Sequence, residues 1–131
     1  MWIIVCMDRK LTDKEYDRAK YEWSKRCRQH SKKVDKDGHR VLFKLSLREY
    51  VRLLETSRFE DKFHHLRVLG RYKDIGHYEK GNCRFISRRE NSNEDHYSRK
   101  LLREGTNIAE MPLGEYLDGL TVYIRGKIKG E

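Results

Sequence analysis

Between Gly70 and Glu94 the chain reads GRYKDIGHYEKGNCRFISRRENSNE, which crowds guanidinium, carboxylate, amide and imidazole groups into one short stretch. Arg84, Arg88 and Arg89 are cations of the kind that bind phosphates. Arg84 alternates with Phe85 and is expected to point to the wet face. Arg71 stays protonated above about pH 12, so it cannot serve as an ordinary general base. It can clamp a phosphate or stabilise charge in a transition state. His65, which shares strand parity with Arg71, and His77, in the loop between the strands, are the imidazoles available as a base. Each also reads as an ordinary exposed polar residue. Asp74 and Gly76 suit a tight turn, and Asn82 suits capping one.

The elements that must hold these groups follow from local pattern. A strand is expected to end near Arg71 and a second to begin near Asn82, where Cys83, Arg84, Phe85 and Ile86 alternate. Ser87 with Glu90 three residues on forms a capping box, so a helix should start at about Arg88 and stop near Gly105. Thr12 with Glu15 opens an earlier, long helix to about Ser31, with Tyr16, Ala19, Trp23 and Cys27 as its apolar stripe. Lys25, Arg26 and Arg28 make its later half basic. Ser46 with Glu49 opens a third helix, bearing Leu47, Tyr50, Val51 and Leu54 on one face and ending near Ser57. Residues 2–7 read as a buried strand, 41–45 as a short strand or extended entry, and 120–125 as a strand that pairs with 2–6. Pro112 sits in a turn region before the last of these.

Across 131 residues there are 30 basic and 21 acidic side chains, a net charge of +9, with 37% hydrophobic and 39% charged residues. One domain with a modest core is expected, and the positive balance points to a polyanionic partner. Cys6, Cys27 and Cys83 lack the spacing of a zinc site and read as free thiols of a reducing cytoplasm. His30, His39, His64 and His96 have no paired acid or cysteine at ligand spacing and read as surface. There is no P-loop, dinucleotide fingerprint or nucleophile elbow.

The Gly70–Glu94 stretch resembles a phage-associated branch of the HNH (His-Me finger, ββα-metal) nucleases, whose members read like G-R-Y-x-D-x-G-x-Y-x-x-G-N-C-R-F-x-T-x-x-E-N. Gly70, Arg71, Tyr72, Asp74, Gly76, Tyr78, Gly81, Asn82, Cys83, Arg84, Phe85, Glu90 and Asn91 match; Ser87 stands for Thr, and His77 for an expected Pro. The resemblance implies an α+β fold with a small ββα finger within a helical domain, to which the pairing of the terminal strands, expected from their backbone groups, would be added. The whole chain would be one such domain: strand and basic helices over 1–63, finger over 64–104, turn and strand over 105–131. It also implies that Asn82 holds the active-site loop and that Asn91 is the helical metal ligand. Arg71 takes the place of the catalytic His and Gly70 that of the preceding Asp. Asp74, Glu90 or Glu94 would then join Asn91 around Mg²⁺ or Mn²⁺, and His65 or His77 would supply the base.

The expectation is a cytoplasmic endonuclease, in a host cytoplasm if phage-encoded, that hydrolyses or nicks double-stranded DNA. The basic helix would embrace the duplex through Lys25, Arg26 and Arg28, with Arg84, Arg88 and Arg89 beside the site. The alternatives are a module that binds nucleic acid, DNA or RNA, without cutting it, and a protein that grips a host protein through Trp2 and the region Tyr116–Tyr123.

Overall fold

The computed structural model describes residues 10–29, 34, 38–63 and 67–128. Among these the chain is α+β, with four α-helices and one two-stranded antiparallel sheet. The expected strand 2–7 and His65 lie outside the described residues.

Three reciprocal capping boxes set the helix starts. Helix α1 (Asp13–Gln29) begins where the Thr12 N–H donates to Glu15 Oε1 at 2.8 Å and the Glu15 N–H to Thr12 Oγ1 at 3.1 Å. Helix α2 (Leu47–Glu55) opens in the same way on Ser46 and Glu49. After strands β1 (Arg67–Arg71) and β2 (Cys83–Ser87), the Ser87–Glu90 box starts α3 (Arg88–Arg103) directly from the strand end. Each box satisfies two backbone N–H groups that a helix start otherwise leaves unpaired.

The strands pair from Arg67 opposite Ser87 to Arg71 opposite Cys83. One sheet face carries Leu69, Cys83 and Phe85 into a core with Ala19 of α1 and Tyr50, Val51 and Leu54 of α2. The Trp23 indole N–H donates to Leu45 O at 2.8 Å and ties α1 to that core. On the other face Gly70 lies against α3: a Cβ there would stand 2.7 Å from Ile86 Cδ1 and 3.2 Å from Asn91 Oδ1. The segment 41–45 is not a strand. Only Phe43 bridges, to Tyr78, with the Tyr78 N–H donating to Leu42 O at 2.9 Å.

Two further sequence expectations are overturned. Cys27 is exposed, and Arg26 takes the covered position instead, its guanidinium 4.8 Å from the Tyr78 ring centre. Residues 120–125 are not a strand, and so not a strand partner for 2–6. They belong to α4 (Leu113–Ile128), which starts directly after Pro112, a residue a helix tolerates at its entry. The β-branched run yields to a helical stripe, Tyr116, Leu120 and Tyr123, packed with Tyr97 and Leu101 of α3 in a second, smaller core. Tyr116 is fully buried there, which removes it from any docking face. No described helix is long and apolar enough to cross a membrane.

Replacing Ser87 by Ala should cost about 1 kcal/mol of stability, the usual loss for an N-cap, read as a lower urea midpoint at unchanged slope.

Candidate functional site

A turn of unusual backbone shape joins β1 to the following loop. Lys73 and Asp74 are both left-handed, at φ 61° and 56°, a conformation that costs a non-glycine residue about 1 kcal/mol or more. Helix α3 holds it from beneath. Glu94 Oε1 accepts the Asp74 N–H at 3.2 Å, and Ser98 Oγ donates to Lys73 O at 2.5 Å. Ser98 also bonds the buried Tyr116 hydroxyl at 2.7 Å, so α4 supports the same turn. The Lys73 ammonium donates to Ile108 O at 2.7 Å and to Met111 O.

Asn82 secures the rest of the loop. Its side-chain N–H groups donate to Ile75 O at 3.0 Å and His77 O at 2.9 Å. Arg71, only 4% exposed, donates from one terminal nitrogen to Gly76 O at 2.7 Å and places the other 3.4 Å from Asp74 Oδ1. Its guanidinium lies 5.2 Å from the Tyr78 ring centre, and its Nε–H has no hydrogen-bond partner. Such a buried donor is costly to leave unpaired.

Arg71 and Asp74 form one wall of a cleft of about 710 Å³, with Val34, Val68 and Tyr78. The other wall is a face of α3: Arg88, Asn91, Ser92, Asp95 and Arg99, spaced at i, i+3, i+4, i+7 and i+11. Arg99 Nε stands 3.1 Å from both Asp95 carboxylate oxygens. Three guanidiniums against two carboxylates leave the cleft positive. Ser92, Asp95 and Arg99 were not singled out from sequence, although their helical spacing from Arg88 and Asn91 was readable there.

The structure therefore brings together Arg71, Asp74, Asn91 and Arg88 from the expected site. Asn82 is not in the cleft; it lines a separate hollow with Tyr72, Lys73 and Ile75. His77 is not among the cleft's lining residues, and its Nδ1 accepts the Leu42 N–H at 3.0 Å, which spends the lone pair a base would use. Lys25, Arg28 and Arg89 are exposed. Arg84 does not point freely to solvent, as strand alternation suggested. It pairs with Glu94 and stacks 4.3 Å from the Tyr72 ring centre, because α3 covers this sheet face.

The expected metal ligands are committed elsewhere. Glu90 closes the α3 capping box and pairs with Arg58; Glu94, 2% exposed, holds Arg84 and the Asp74 N–H; Asp74 faces Arg71. Among the described residues no group of three or more His, Cys, Asp or Glu is placed to hold a metal ion. This donor set does not fit a resident Mg²⁺, since each acid is already neutralised by a cation or backbone N–H of the chain. Burial pushes the Cys83 thiol up to about 11, so it is not a nucleophile at neutral pH.

Electrostatics separate the two glutamates. Hydrogen bonding from the Arg58 guanidinium, helped by Ser87, holds the Glu90 carboxyl down at about 2 against an ordinary 4.5. Burial raises Glu94 above its ordinary value, and the Arg84 guanidinium opposes that rise. No family model, curated protein or solved structure matches the chain.

Two outcomes are expected. Glu94→Ala strands Arg84 and the left-handed turn and should lower stability by about 3 kcal/mol, while Glu94→Gln, which keeps an acceptor, should lose markedly less, both read by urea unfolding. Glu90's pKa is depressed on folding, so its stabilisation is complete above about pH 4.5 and is lost as pH falls towards 2. Carbon-detected NMR should show its carboxyl titrating near 2, and Arg58→Ala should return the midpoint towards 4.5.

Proposed function

We propose that this chain is a nucleic-acid-binding protein of the HNH-like kind, in which the cleft between the end of β1 and α3 grips the phosphodiester backbone of double-stranded DNA. One observation carries this reading: three guanidiniums, Arg71, Arg88 and Arg99, line the same cleft as the Asn91 amide. Guanidiniums recognise phosphate oxygens through paired charged hydrogen bonds, and an amide adds orientation. The order β1, turn, β2, α3, with α3 leaving directly from the strand end, supports a ββα finger of the kind the resemblance implies. The chain's net charge of +9 supplies long-range attraction to a polyanion.

A phosphate entering the cleft meets Asp74 and Asp95 as well as the arginines. It would take over the ion pairs those acids now make, at the terminal guanidinium nitrogens. The rigid turn on Glu94 and Ser98 keeps Arg71 from following the ligand outward.

Phosphodiester hydrolysis is the second reading. It is favoured by the meeting of Arg71, Asp74 and Asn91, which the resemblance gives to the catalytic region, in one cleft. The committed acids and the spent His77 lone pair weigh against it, and binding without cleavage is the conclusion.

The two readings part on one experiment. Supercoiled plasmid is incubated with the protein and Mg²⁺ or Mn²⁺, beside an EDTA control and an Asn91→Ala variant. Retarded but intact plasmid, with affinity falling steeply with salt, is the expected result. The Arg88→Ala, Arg99→Ala double variant should weaken retention by about tenfold, from the loss of two charged contacts. Metal-dependent nicking by the parent and not by Asn91→Ala would establish the enzyme instead. No affinity for DNA at low salt would end both.

A further inference from the structure

Helix α1 carries a second surface that the cleft does not use. Lys14, Arg18, Tyr21, Lys25 and Arg28 follow one another at i, i+4, i+7, i+11 and i+14, which places them within one narrow arc of the helix. All five are exposed, and Tyr21, at 56%, is among the most exposed large apolar residues described. Of the helix's acids, Asp13, Glu15 and Glu22 lie well outside this arc and Asp17 borders it beside Lys14, so the stripe itself carries four cations around one aromatic ring with a single acid at its edge. Among the described residues none of the four cations makes an ion pair. Arg18 inclines towards Tyr21, its Cζ 5.8 Å from the ring centre.

The geometry points to a strand of unpaired nucleic acid lying along this stripe, with its phosphates on Lys14, Lys25, Arg28 and Arg18 and one base stacked on Tyr21. The stripe is about 21 Å long at helical rise, with cations a little under one turn to two turns apart, which suits a short run of successive phosphates. Duplex backbone has no use for a projecting tyrosine ring, whereas every unpaired base offers it a π-face. A bilayer surface is the poorer fit. The apolar residues Ala19, Tyr16 and Trp23 of α1 are turned into the protein core and leave Tyr21, with Cys27 on another face, for a membrane.

Fluorescence anisotropy with labelled oligo-dT and oligo-U of about ten nucleotides tests this on the full chain, over a range of salt. Tyr21→Ala should lower affinity by about tenfold while leaving the slope of log affinity against log salt unchanged, and Tyr21→Phe should restore it. The Lys14→Gln, Lys25→Gln double variant should flatten that slope by about 1.4. In the Arg88→Ala, Arg99→Ala background the tenfold effect of Tyr21→Ala on oligonucleotide affinity should persist, so failure of the cleft reading is seen separately. Preference for oligo-dT or for oligo-U assigns DNA or RNA as the source of the strand. The proposal is overturned if Tyr21→Ala binds as the parent does, if only the cleft variant loses the oligonucleotide, or if anionic vesicles bind while oligonucleotides do not.

Discussion

A pair of left-handed residues, Lys73 and Asp74, is the constraint on which the architecture around the cleft turns. Neither is glycine, so the turn exists only because neighbouring groups over-determine it. The buried Glu94 carboxylate takes the Asp74 N–H, Ser98 takes the Lys73 carbonyl, and Tyr116 braces Ser98 from α4. Remove this support and the turn has every reason to relax, carrying Asp74 and its partner Arg71 out of register with α3. The second core is small, yet its placement beneath this turn explains why a helix, rather than a strand, closes the described chain.

Four of the described arginines are structural residues. Arg67 is buried against Phe85 and paired with Glu22; Arg71 lies on Tyr78; Arg84 lies on Tyr72 and holds Glu94; Arg26 reaches Tyr78 from α1. A guanidinium is weakly hydrated and planar, so it stacks on rings at lower desolvation cost than an ammonium. The chain's basic composition thus divides into cations that build the core's edge and cations left for solvent. Only the latter, with the partly committed groups of the cleft, bear on a polyanionic partner.

What was legible in the sequence is what is local. Thr12–Glu15, Ser46–Glu49 and Ser87–Glu90 each act over three residues, and all three close as capping boxes. The two strands and the stop at Gly105, with φ of +81°, were readable for the same reason. Residues 120–125 misled because Thr121, Val122 and Ile124 favour extended chain, while the deciding contact, Tyr97 with Tyr116 and Tyr123, lies across two helices. The candidate site was legible in part: Arg71, Asp74 and Asn91 do share a cleft. That Glu90 belongs to Arg58, 32 residues away, and His77 Nδ1 to Leu42, could not be read from spacing along the chain.

The central claim is that phosphodiester oxygens enter the cleft walled by Arg71 and Asn91. Side-chain NMR during titration with a short DNA duplex observes both groups directly, through the arginine Nε–H and asparagine amide signals. The Arg71 Nε–H and the Asn91 amide signals should shift together and saturate with the duplex, while the Trp23 indole signal stays fixed. Shifts confined to residues outside the cleft, with Arg71 and Asn91 unmoved at saturation, would contradict it.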